Sequence, residues 1–136
     1  MEANVPSLLS LLICDYVITE QGTDKRTLVG LFESIFPPSV PFQQQKLAFF
    51  ARLTDLEGEY SFTIVVVKLT PQGEEVVSKA ALKPVTFTDR LMNVDIALNL
   101  PPIIFPDFGK YEFQLFSNES FLGRAVLYCR KTERPQ

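Results

Sequence analysis

Apolar and polar residues alternate with a period of two along several short stretches of this chain, and proline and glycine separate the stretches. In residues 91–100, Met92, Val94, Ile96, Leu98 and Leu100 alternate with Asn93, Asp95, Ala97 and Asn99. Successive side chains of an extended strand point to opposite faces, so the pattern predicts a strand with one apolar and one mostly polar face. Residues 110–116 repeat it, with Tyr111, Phe113 and Leu115 on one face and Lys110, Glu112 and Gln114 on the other. In residues 60–69, Phe62, Ile64 and Val66 face inward and Ser61 and Thr63 outward, while Val65 and Val67 leave the outer face partly apolar. Residues 46–53 set Leu47, Phe49, Ala51 and Leu53 opposite Ala48, Phe50 and Arg52.

Turn residues connect these strands. Asp55-Leu56-Glu57-Gly58 reads as the link between two consecutive antiparallel strands, and Pro71-Gln72-Gly73 ends the second of them. Residues 11–20, 27–35, 76–87 and 121–131 supply four more strands. Gln21 to Arg26 turns the first into the second, with Gly22 and Asp24 in the turn, and Ser117-Asn118-Glu119-Ser120 closes the last hairpin. Pro84 predicts an edge strand, a bulge or a break, because proline has no N–H to give a central ladder. Leu8, Leu9, Leu11 and Leu12 fit one helical turn ahead of the first strand; nothing else repeats at 3.6 residues between start and stop signals. The expectation is an all-β chain, an antiparallel β-sandwich of about eight strands. The sandwich would span residues 8–131, with tails at 1–7 and 132–136.

Composition changes the picture little. A chain of 136 residues suits one domain, and 46% hydrophobic residues with 12 Phe and 4 Tyr supply a core without Trp. The net charge of −3 and scattered basic residues argue against nucleic acid or anionic membrane as partners. The densest basic group, Arg130, Lys131 and Arg134, reads as a solvated tail. The run from Leu8 to Ile13 is short for a signal sequence and far short of a membrane span, so a cytoplasmic location is expected. Two cysteines, Cys14 and Cys129, are too few for a disulfide scaffold and read as free, buried thiols.

Asp107-Phe108-Gly109-Lys110-Tyr111-Glu112-Phe113 resembles the Asp-x-Gly-x-Tyr-x-Cys signature of immunoglobulin-like domains. That resemblance implies that Tyr111 is a corner tyrosine bonded to upstream backbone, with Phe113 where antibody-type domains carry a disulfide cysteine. Ile13-Cys14-Asp15, Leu28-Val29-Gly30-Leu31-Phe32, a proline-rich loop and the closing Gly-x-Tyr-x-Phe hairpin resemble a family of small bacterial domains of unknown function. The resemblance implies a β-sandwich and a bacterial origin, and it attaches no activity to any residue.

The chemistry that can be excluded is more definite. With no histidine, Ser-His-Asp and Cys-His catalysis and His-containing zinc sites are unavailable. Two cysteines cannot hold a four-thiolate zinc or an iron–sulfur cluster. No Walker A, Gly-x-Gly-x-x-Gly or Gly-x-Ser-x-Gly motif occurs. Cys14 is expected to face the core with Tyr16 and Ile18, leaving Asp15 and Thr19 outside. Asp55, Glu57 and Glu59 alternate and offer the start of a calcium loop, although no second acidic loop of matching spacing follows. We expect no enzyme activity and no cofactor. A ligand- or calcium-binding sandwich, or a small accessory enzyme, is the alternative.

Two apolar, proline-rich loops carry the partner expectation: Phe36-Pro37-Pro38-Ser39-Val40-Pro41-Phe42 and Pro101-Pro102-Ile103-Ile104-Phe105-Pro106. Either they plug the ends of the sandwich, or proline holds them rigid so that Phe36, Phe42, Ile103, Ile104 and Phe105 engage a protein partner or a second copy. Exposed sheet edges offer strand addition as a second route.

Overall fold

The structure is a computed structural model, and it describes residues 3–131. Among them the chain forms thirteen strands, numbered in chain order, and no helix. One sheet runs in the order β10 (Val94–Asn99), β5 (Ala48–Thr54), β1 (Ser7–Thr19), β2 (Arg26–Leu31). A second runs β3 (Ser34–Ile35), β13 (Ser120–Cys129), β12 (Gly109–Ser117), β7 (Phe62–Thr70), β8 (Gly73–Ala81). Two ribbons complete the fold, β4 (Phe42–Gln44) with β11 (Ile103–Phe105) and β6 (Gly58–Tyr60) with β9 (Val85–Phe87). Every pairing is antiparallel except β13 with β3.

One core joins the two large sheets. Phe49, Ala51 and Leu53 of β5 meet Ile64 and Val66 of β7 and Tyr111, Phe113 and Leu115 of β12 in a single buried cluster. These are the apolar sets that the alternation marks as inward. Each large side chain removed from water there contributes roughly 1.5–3 kcal/mol, before the entropy of ordering it is counted.

Several expectations need correction. Asp55-Leu56-Glu57-Gly58 is not a hairpin turn: β5 and β7 belong to different sheets, and the segment carries the chain across between them. Leu56 is fully buried in the core, and Asp55 and Gly58 take positive φ on either side of it. Leu8 to Leu12 are strand, not helix, because β1 begins at Ser7. The alternation from Met92 overshoots: Leu91 is 93% exposed and β10 starts only at Val94. Asp89 explains the delay, since its carboxylate accepts the Leu91 N–H at 3.0 Å and its carbonyl the Met92 N–H at 3.3 Å.

The expected strand 27–35 divides at Phe32–Glu33 into β2 and β3, which lie in different sheets. The expected strand 76–87 begins earlier, at Gly73, and breaks before Pro84 into β8 and β9. The count of about eight rises to thirteen mainly through pieces of two or three residues: β3, β4, β6, β9 and β11.

Two buried tyrosines tie neighbouring loop backbone to the core by hydrogen bonding, as buried hydroxyls require. Tyr111 donates to the Asp107 carbonyl at 2.6 Å and accepts the Asp107 N–H at 3.2 Å. Burial pushes its pKa up. Tyr60 lies 2.8 Å from the Asn4 carbonyl and accepts the Glu57 N–H at 3.0 Å. Residues just ahead of β1, within the stretch expected as a tail, are thereby tied to the core. The expected tail at 132–136, with Arg134 of the basic group, lies outside the described residues.

Candidate functional site

The two proline-rich loops come together. Phe42 pairs with Phe105, Gln43 with Ile104 and Gln44 with Ile103 along the β4–β11 ribbon. A strand alternates its faces, so Ile103 and Phe105 turn inward and are buried in the core, while Ile104 turns out and is 56% exposed. Phe42 packs against the core from its rim, and Phe36 is half-buried. Of the five residues singled out in the sequence, only Ile104 presents most of its side chain to water.

A larger apolar surface lies on the β1–β2 hairpin, at residues expected to face the interior. β1 pairs with β5 through residues 7–14 and with β2 through residues 14–19. Leu12, Cys14, Tyr16 and Ile18 share one side of it, and the partners Leu31 and Val29 stand on the same side, opposite Cys14 and Tyr16. Leu12, Tyr16, Ile18 and Leu31 are 40%, 42%, 47% and 58% exposed. Tyr16 and Ile18 therefore do not join Cys14 in the interior, contrary to the expectation. Alternation reveals which side chains share a face; it does not reveal whether a second layer covers that face.

Cys14 is fully buried in the middle of this surface, with its thiol 3.4 Å from the Tyr16 carbonyl. Burial, and then the neighbouring Asp15 charge, push its pKa up. Burial does the same to Cys129, and both cysteines are free. A thiol held protonated is a poor nucleophile and a poor metal ligand.

The hairpin also borders a groove. Leu31-Phe32-Glu33 crosses from the four-stranded to the five-stranded sheet, bonded on one side by Phe32 N–H to the Ile13 carbonyl and on the other by Tyr128 N–H to the Glu33 carbonyl. Beside this crossing, β1 and β13 run next to one another and leave a cleft of about 430 Å³, lined by Leu11, Leu12, Leu31, Phe32, Ala125 and Val126, with Glu33 at its rim. A second hollow of about 280 Å³ shares Leu31 and Phe32 with it and is lined also by Asp15 and Gln44. Gly30 permits this geometry. Its φ is +71°, and a Cβ there would strike the Asp15 carboxylate.

Apart from Glu33 and Asp15, the charged groups around the site pair with one another. Asp95 on β10 accepts from Arg52 at 2.8 Å and from Arg26 at 3.0 Å. Those arginines, Arg52 foremost, hold the Asp95 carboxyl below the usual carboxylate range. Arg26 stands at the start of β2, with β1 and β5 between it and β10 in the sheet order, so the ion pair links the two edge strands of the sheet. On the other sheet, Gln114 donates to Glu112 at 3.0 Å and to Glu74 at 3.1 Å, and Arg124 caps Glu112 at 3.2 Å. Glu112 and Gln114, expected to face solvent, are only 7% exposed. Asp55 and Glu57, two of the three carboxylates considered for calcium, are both held by Arg90. Among the described residues no three metal-ligating side chains cluster.

The hairpin and groove offer exposed apolar area and unpaired strand edges. Among the described residues no helix is long and apolar enough to cross a membrane. No curated protein matches the chain. Residues 9–130 match DUF6941, a family of unknown function, and the chain belongs to that family.

Proposed function

We propose that this protein is a non-enzymatic interaction module that engages a protein partner, or a second copy of itself, through the exposed side of the β1–β2 hairpin. The observation that carries this reading is the set Leu12, Tyr16, Ile18 and Leu31, four large apolar side chains on one side of one hairpin and 40–58% exposed. Single exposed apolar residues are ordinary, but a contiguous group on a rigid element is the usual mark of an interface. Ile104, on the β4–β11 ribbon, is a secondary contact in this proposal.

The scaffold is read as an immunoglobulin-like sandwich. Eight strands have six or more residues; with β2 set aside as an extension of β1, the first, second and fifth of the rest (β1, β5, β10) share one sheet, and the third, fourth, sixth and seventh (β7, β8, β12, β13) share the other. Immunoglobulin-like domains divide their strands in the same way, and the Tyr111–Asp107 bonds at the start of β12 support the corner assignment. Free thiols at Cys14 and Cys129 support a reducing compartment such as the cytoplasm.

The test is a comparison of wild type with the double variant Tyr16→Lys, Leu31→Lys by concentration-dependent light scattering and by affinity capture. Wild type is expected to self-associate or retain a specific partner, and the variant to lose that behaviour at an unchanged melting temperature. Identical behaviour of the two proteins would defeat the proposal.

A further inference from the structure

The cleft between β1 and β13 combines three properties that specify an occupant more narrowly than an apolar surface does. The first is main-chain valence. Among the described residues, β1 over Leu11–Leu12 pairs with β5 on one flank only, and β13 over Ala125–Val126 pairs with β12 on one flank only. The flanks that face the cleft carry no strand, although the rest of each strand is ordinary ladder. An extended chain laid along either edge can therefore add main-chain hydrogen bonds, as in strand addition.

The second property is length. The cleft is closed at one end by the Leu31–Glu33 crossing and at the other by Leu8, whose side chain occupies the place where a Cβ on Gly123 would stand. Between these stops, 430 Å³ lies within the range that holds a few residues or a small ligand, not a whole protein face. The third is charge. Glu33 is the charged residue lining the cleft and Asp15 the one lining the neighbouring hollow, and among the described residues neither is in an ion pair. No lysine or arginine lines either hollow.

We infer that the β1–β13 cleft binds a short extended peptide segment of a partner protein, apolar at alternate positions and flanked by lysine or arginine. The inference rests on the interaction-module reading and names the partner's chemistry. An apolar side chain of the segment seats between Leu12 and Val126, its backbone bonds to an open edge, and its cationic flank reaches Glu33. Apolar contact gives the affinity, and the acidic rim selects against acidic segments.

Three labelled seven-residue peptides test it by fluorescence anisotropy at low ionic strength. The first has valine at alternate positions and lysine at both ends, the second has glutamate at both ends, and the third is the lysine peptide N-methylated at its valines. The lysine peptide is expected to bind at least tenfold more tightly than the other two, and Glu33→Lys, at an exposed site, to remove or reverse its advantage over the glutamate peptide. Equal binding of lysine and glutamate peptides, no effect of N-methylation, or no binding at all would overturn the inference. So would a second copy of the chain that occupies the cleft and resists displacement by saturating peptide. If the peptides fail while the Tyr16→Lys, Leu31→Lys variant still loses association, the module reading stands and only the cleft assignment falls.

Discussion

On the solvent side of the five-stranded sheet, polar groups are tucked in. Glu112 and Gln114 are 7% exposed and bonded to each other, to Glu74 and to Arg124, and Val67 beside them is 2% exposed. On the β1–β2 hairpin, apolar groups are left out, with Leu31 58% exposed. Both surfaces are built on period-two strands of one small domain. Polarity thus follows local cover: the first surface is satisfied within the chain, and the second is left uncovered by it.

The strongest test of that contrast is Gln114→Glu. Three carboxylates would then crowd the place where one amide now donates to two, and stability at pH 7 should fall by about 2–3 kcal/mol. Chemical denaturation would measure the loss, and acidification toward pH 4 should recover part of it. Full stability at neutral pH would mean that the network contributes little.

Asp95→Asn tests the ionic anchor of the hairpin. The Asp95 carboxyl is half-buried and its pKa is depressed by Arg52 and Arg26, so its stabilisation is complete above the unfolded carboxyl value of about 3.9 and fades as pH falls through the lower folded value. The variant should lose about 1 kcal/mol at pH 7 and flatten the acid limb of the stability profile. An unchanged acid limb would show that other carboxylates dominate it.

Alkylation reports on the cover over Cys14. In native protein at pH 7.5, iodoacetamide should label neither cysteine within the time that fully labels the denatured chain. Leu12→Ala together with Tyr16→Ala should speed labelling at Cys14 and leave Cys129 protected, as peptide mass spectrometry would show. The smallest expected effect is that of Leu31→Lys or Ile104→Asp on stability, each within about 0.5 kcal/mol because the side chain stands in water. A large loss from either would mean that its residue belongs to the core.

The residues that make these tests possible differ in how readable they are. Phe49, Ala51, Leu53, Tyr111, Phe113 and Leu115 were evident from alternation, since burial in a sheet acts on every second side chain. Pro84 announced the break between β8 and β9 for an equally local reason. Asp55 to Gly58 misled because positive φ and small polar residues serve a crossing between sheets as well as a hairpin, and only the burial of Leu56 separates the two. Tyr16 and Ile18 misled in the opposite sense, because an uncovered apolar face and a core face have the same composition. The cleft was not legible at all, as it depends on β1 and β13 becoming neighbours from opposite ends of the chain.

That neighbourhood has a consequence for biosynthesis. Leu8 rests on Gly123, and Tyr128 bonds to Glu33, so the first strand and the first crossing reach their final surroundings only after the last hairpin has left the ribosome. Until then the nascent chain exposes Leu8, Leu11 and Ile13 on an open strand edge, the kind of apolar segment that aggregates when it stays uncovered. Acquisition of structure should accordingly be late and abrupt rather than progressive along the emerging polypeptide.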